Sequence, residues 1–139
     1  MKLLLDLNVL LDVVLDRQPH VGASAALWAR LESGVGRGCV PAHCVTTLYY
    51  LVRKTRGPAR ARAAIDGLLG IFDVAPVGEE VLRRAIALGW SDFEDAVCAA
   101  AAETTGCDAI VNRNPADFSG SPVRVVDAAT ALAWLQAAS

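Results

Sequence analysis

Four aspartates stand at places in this chain where side chains can be brought together for chemistry. Asp6 closes the apolar run Leu3-Leu4-Leu5, and Leu7-Asn8 follow it. Asp92 and Asp95 lie far downstream in Ser91-Asp92-Phe93-Glu94-Asp95-Ala96. Asp117 ends the stretch Val111-Asn112-Arg113-Asn114-Pro115-Ala116-Asp117. Carboxylates at strand ends and helix starts of one parallel sheet can converge at its carboxyl edge, where open α/β sheets hold their sites. Crowded like charges raise one another's pKa. A divalent cation relieves that repulsion, and hard oxygen donors select Mg²⁺ or Mn²⁺ over softer metals.

Each acid also has a structural alternative. Asp6 could cap the helix that follows it, but Asn8 could serve equally well, and a helix start needs only one cap. Asp12 lies one turn beyond Asn8 and reads as a support behind the site or as a structural residue. Asp92 and Asp95 are three apart at a helix start and share a face. The helix dipole favours any one acid there, yet three acids in the four positions from 92 to 95 exceed that need. Ser91 and Glu94 have the spacing of a capping box, and Asp92 could itself be the cap. Asp117 follows a strand and a turn, at the same edge as Asp6, with Asn112 and Asn114 beside it. Asp127 reads as the cap of the last helix.

The elements that must position these residues are legible as alternating runs. Strands are expected at 2–6, 39–40, 72–75, 109–111 and 123–126. Helices are expected at 9–16, 21–33, 43–55, 59–69, 78–88, 92–105 and 128–137, with Gly34, Gly36 and Gly38 stopping the second. Strands alternating with helices predict an α/β fold: a doubly wound parallel sheet of about five strands with helices on both faces. No repeat, low-complexity tract or linker interrupts the chain, so residues 1–139 read as a single domain.

Composition narrows the function further. Of 139 residues, 54% are hydrophobic and 20% charged, with net charge −2. That excludes a global basic surface, so any nucleic-acid contact must use a local patch. The densest basic stretch holds Arg53, Lys54, Arg56, Arg60 and Arg62. It could bind phosphates or could be an ordinary solvated surface. Tyr49 and Tyr50 could stack on bases or pack in the core. No apolar run reaches the roughly 18 residues of a membrane span. Asp6 breaks the opening apolar run too early for a signal peptide, so a cytoplasmic protein without membrane contact is expected. The four cysteines, Cys39, Cys44, Cys98 and Cys107, form no Cys-x-x-Cys pair, and only two histidines accompany them. They read as buried free thiols rather than a zinc site.

Three segments together carry a resemblance: Leu5-Asp6-Leu7-Asn8-Val9-Leu10-Leu11-Asp12, Asp92-Phe93-Glu94-Asp95-Ala96 with its Ala-rich helix, and Ile110-Val111-Asn112-Arg113-Asn114-Pro115-Ala116-Asp117-Phe118. In this order and spacing the chain resembles the PIN domain family, and within it the VapC-like ribonuclease toxins. The resemblance implies Mg²⁺- or Mn²⁺-dependent endoribonuclease activity, neutralisation by a cognate antitoxin and a homodimer. It implies metal ligation by Asp6, Asp95 and Asp117, with Asp92 completing the catalytic set. Asn8, Asp12 and Asn112 would support them, and Arg53, Lys54, Arg56 and Arg113 would contact RNA. Leu7 stands where many members have Thr or Ser. The stretch Val45-Thr46-Thr47-Leu48-Tyr49-Tyr50 carries no acid where many have Glu, a charge Asp92 could replace.

Rival readings differ in what they require. A haloacid-dehalogenase-type phosphatase wants a second Asp two residues after the first, where Asn8 stands. A phospho-receiver wants a Lys near the fifth strand, but Lys occurs only at positions 2 and 54. The remaining alternative is a catalytically silent PIN scaffold that binds RNA or a protein partner.

Overall fold

In the computed structural model, which describes residues 1–138, the run Leu3-Leu4-Leu5 becomes the central strand β1 (Lys2–Leu5), its three leucines fully buried. Side chains alternate across a strand. Leu3 and Leu5 accordingly enter one core and Leu4 the other. A strand buried on both faces must read as a continuous apolar run, which is why this segment does.

The chain continues as α1 (Leu7–Val14), α2 (Val21–Glu32), β2 (Arg37–Pro41), α3 (Ala42–Arg56), α4 (Pro58–Ile71) and β3 (Asp73–Ala75). It ends with α5 (Glu79–Leu88), α6 (Phe93–Thr105), β4 (Ala109–Val111), a 3₁₀ turn at Pro115–Phe118, β5 (Val125–Val126) and α7 (Ala128–Ala138). The five strands form one parallel sheet in the order β3-β2-β1-β4-β5. The fold is the expected α/β architecture. Side chains of α1, α2, α3, α4 and α7 fill one core, and those of α5 and α6, with Cys44 of α3, fill the other. Residues 96–102 of α6 are all buried, and all seven are Ala, Val or Cys, small enough to let the helix lie close on the sheet.

Two details differ from the sequence expectation. α1 begins at Leu7, directly after Asp6, two residues earlier than periodicity suggests. Gly38 lies inside β2 rather than in a helix stop, and it must be glycine because a Cβ there would sit 2.4 Å from the Phe72 ring. None of the helices among the described residues is long and apolar enough to cross a membrane.

The strand order reverses between β1, whose successor by connection lies on one side, and β4, which pairs on the other. A crevice opens at the carboxyl ends of strands at such a switch point. Asp6 follows β1 and Asn112 follows β4, so these two residues flank it.

Candidate active site

Asp6 occupies the capping position of α1 but makes no capping hydrogen bond with its side chain. Its carboxylate turns instead to the switch point. Asn112 Nδ2 donates to Oδ2 at 2.6 Å, and Cys98 Sγ donates to Oδ1 at 3.2 Å. Asn112 is itself fixed, since its Oδ1 accepts from the Asn114 amide at 2.6 Å. Asp6 is only 5% exposed. Both of its side-chain donors are neutral, so they orient the carboxylate without offering a countercharge.

The second group comes from the start of α6. Asp92 caps this helix, its Oδ1 accepting from the Asp95 amide at 3.0 Å. The Ser91–Glu94 capping box expected as one option is therefore not the one formed. The bond leaves the other Asp92 oxygen available. Asp6, Leu7, Asn8, Asp92, Glu94 and Asp95 line one small open pocket. The carboxyl of Asp95 is pushed up to about 6 by burial first, and then by the charges of Asp92, Asp6, Asp117 and Glu94. That ordering reports the convergence expected from sequence: residues spread over 111 positions press on one carboxyl.

Asp117 lies in the 3₁₀ turn, exposed, outside the pocket lining but near enough to act on Asp95. The edge-on packing of Trp90 against Phe118, ring centres 5.6 Å apart, joins the approach to α6 to the turn that carries Asp117. One apolar contact thus helps place two of the acids. Among the described residues none of Asp6, Asp92, Glu94, Asp95 and Asp117 forms an ion pair. Oxygen donors in this number, without a cation, suit a hard divalent ion. Asp6, Asp95, Asp117 and the free oxygen of Asp92 are the groups able to hold one.

The supporting residues divide. Asn8 lines the pocket, exposed. Asn112 grips Asp6 directly. Asp12 does not reach the cluster: it is 1% exposed and paired with Arg113 and, at 3.2 Å, with Arg17. Arg113, expected as an RNA contact, has its guanidinium committed to Asp12. Arg53, Lys54 and Arg56 are exposed at the far end of α3, about 15–20 Å along the helix axis from its start. Tyr50 projects beside Arg53 and Lys54, whereas Tyr49 packs against the core. Asp127 caps α7 as expected, accepting from the Thr130 amide at 2.8 Å.

Sequence reasoning passed over the other side of Asp6. His43 and Cys44, in the first turn of α3, meet Cys98 of α6 there. His43 Nε2 lies 3.7 Å from Cys44 Sγ and 3.8 Å from Cys98 Sγ. Burial pulls the imidazole pKa down, but the Cys44 thiol, Glu94 and Asp6 outweigh it, and the net shift is upward. Cys44 is lowered to about 7, chiefly by hydrogen bonding from Cys98 and then by His43, against the effect of burial. Cys98 is correspondingly raised. A signal existed: Cys98 follows Asp95 by three positions, on the same helix face. His43-Cys44 likewise follows the end of β2 at the carboxyl edge.

Residues 2–116 match the family described as PIN domain. No curated protein matches the chain by sequence. Among solved structures, a chain of the VapBC2 complex of Rickettsia felis, bound to a DNA fragment from its promoter, superposes with a TM-score of 0.72 at 14% identity. That match covers 91% of this chain and 98% of the other. A chain of DNA-bound VapBC from Salmonella typhimurium gives 0.69 at 20% identity, covering 92% and 98%. VapC20 of Mycobacterium tuberculosis, a toxin that cleaves the sarcin-ricin loop, gives 0.64 at 19% identity, covering 78% and 86%. At these identities the structures speak for the fold, while the family match spans most of the sequence: the chain belongs to the PIN domain family.

Proposed function

We propose that this protein is a divalent-metal-dependent endoribonuclease, the toxin of a toxin–antitoxin pair. The observation that carries the reading is the convergence of Asp6, Asp92, Asp95 and Asp117 on one edge of the sheet with no cationic side chain among them. Asp6, Asp95 and Asp117 would hold Mg²⁺ or Mn²⁺, with Asp92 beside them. When bound, the ion supplies an activated water and relief of charge on the phosphodiester. Asn112 holds Asp6 Oδ2 and so fixes the carboxylate at this edge. Asp92 fixes the first turn of α6 and thereby the position of Asp95. Likeness to chains of VapBC complexes supports a cognate antitoxin as partner, and a homodimer is part of the same reading.

The test is cleavage of RNA by the purified chain with Mg²⁺ or Mn²⁺ added. Activity should vanish in Asp6→Asn and Asp95→Asn, both of which should remain folded. A wild-type chain that binds RNA but cleaves none in either metal would assign the silent-scaffold reading instead.

RNA flanking the scissile bond would run along α3 towards Arg53, Lys54 and Arg56, which are exposed and carry no ion pair among the described residues. Neutralising all three should flatten the salt dependence of RNA binding by roughly 0.7 for each lost single-strand phosphate contact. An unchanged slope would give this surface to solvent or to a protein partner.

A further inference from the structure

Behind Asp6 lies a group of a different chemical kind. His43, Cys44 and Cys98 each present one donor atom, and the three atoms lie within 4.8 Å of one another. Cys98 Sγ is also 3.2 Å from Asp6 Oδ1. Donors around a tetrahedral Zn²⁺, with metal–sulfur distances of about 2.3 Å and metal–nitrogen distances of about 2.0–2.1 Å, are spaced by roughly 3.6–3.8 Å. The separations from Nε2 to the two sulfurs, 3.7 and 3.8 Å, already have that spacing. The donors stand on helices rather than loops, so the spacing is held by the fold. His43 Nδ1 is buried without a partner, leaving the ring's polar contacts to sulfur alone.

We propose that His43, Cys44 and Cys98 form a binding site for a thiophilic divalent cation of the Zn²⁺ class, and that its occupancy, by ionising Cys98, removes the thiol donor that holds Asp6 Oδ1. The consequence for cleavage rests on the ribonuclease reading; the site does not. Two sulfurs and an imidazole prefer Zn²⁺ to Mg²⁺, whereas the cluster on the far side of Asp6 offers only oxygen. On binding, both thiols lose their protons to solvent, and the two thiolates balance the charge of the ion. Asn112 donates to Oδ2 and Cys98 to Oδ1, so loss of the Cys98 proton takes away one of the two side-chain donors that hold Asp6. The molecule contains its own comparison. Cys39 and Cys107 are also buried and act on one another, but among the described residues neither histidine nor acid completes a set around them.

The experiment titrates the reduced, metal-free full chain with Co²⁺, a spectroscopic stand-in for Zn²⁺. The expected result is thiolate-to-cobalt charge-transfer absorption with tetrahedral d–d bands, saturating at a single equivalent and bleached by Zn²⁺. Cys44→Ala and Cys98→Ala should lose the charge-transfer band, and Cys39→Ala should keep it. His43→Gln alters a half-buried side chain and serves where a cysteine variant fails to fold. It should weaken Zn²⁺ binding at least about tenfold, since even residues behind the ligands cost that much. Absence of the band from the reduced wild-type chain would overturn the site, as would a band that survives removal of both thiols. A chain that instead closes a Cys44–Cys98 disulfide and takes up no Co²⁺ would also overturn it. For the coupling, the ratio of Mg²⁺-dependent cleavage with and without site-saturating Zn²⁺ should fall in wild type and stay near unity in Cys44→Ala. An equal fall in both would overturn the coupling. If no variant cleaves RNA in any metal, the ribonuclease reading fails while the cobalt spectrum still decides the site.

Discussion

Asp6 and Asp12 are buried to nearly the same depth, at 5% and 1% exposure, on either end of the same short stretch of chain. The fold treats them in opposite ways. Asp12 receives two guanidinium groups, from Arg113 and Arg17. Asp6 receives an amide and a thiol. A buried carboxylate is costly unless it is paired. Where pairing is complete, the acid belongs to the structure. Where neutral donors only orient it, and further acids crowd beside it, the missing positive charge must come from elsewhere. The pair shows that depth of burial does not separate structural from functional acids here. The identity of the partners does.

The largest expected effect is on stability, and it splits the two. Asp12→Asn should cost about 2–3 kcal/mol in urea unfolding. Losing one member of a buried ion pair costs about 3–5 kcal/mol, reduced here because Arg113 and Arg17 both reach solvent. Asp6→Asn should leave metal-free stability unchanged or slightly raised, because it removes an unpaired charge and keeps an acceptor for Asn112. Equal losses in the two variants would break the comparison and make Asp6 a structural residue.

A smaller effect sharpens it at the start of α6. Asp92 both caps the helix and belongs to the acidic pocket. Asp92→Ala should cost about 1 kcal/mol of stability by loss of the cap, and should also weaken Mg²⁺ or Mn²⁺ titrations. Glu94→Ala should do neither to a comparable extent, since its side chain makes no cap. Identical metal titrations for wild type and both variants would reduce Asp92 to a helix-start residue.

How far the sequence shows this arrangement depends on the range of the interaction. β1 is legible because an apolar run stopped by Asp6 has few alternatives, and α6 because Asp92 and Gly106 bound an alanine-rich stretch. Helix ends are legible to about two residues, and the Ser91-or-Asp92 choice of cap needs backbone geometry to resolve. The acids at strand ends are legible because a parallel sheet brings all such ends to one edge. What stays hidden is pairing between distant segments that no periodicity encodes. Arg113 reads as a free cation near the site until Asp12, 101 residues away, is found against it. Cys44 and Cys98 fail every local zinc pattern for the same reason: their approach is made by two helices packing, not by spacing along the chain.

The smallest effect is the dependence of stability on pH, and it tests the unpaired half of the comparison directly. Asp95 ordinarily titrates at 3.8 and is pushed up to about 6 in the folded chain. Between those values the folded protein holds a proton that the unfolded chain has released. The protonated carboxyl therefore favours folding fully below about pH 4, and the benefit is lost as pH rises through about 6. Part of the side chain reaches solvent, so the size should be under about 1 kcal/mol. Asp95→Asn removes this dependence. In metal-free buffer the melting temperature of the variant should draw ahead of wild type between pH 4 and pH 6.5 and stay ahead above it. Mg²⁺ should raise the wild-type melting temperature more at pH 8 than at pH 5, since the ion must displace the Asp95 proton at the lower pH. A variant whose melting curve tracks wild type across this range, with Mg²⁺ equally effective at both ends, would mean that Asp95 feels none of its neighbours. The acids at this edge would then be no more in need of a cation than Asp12.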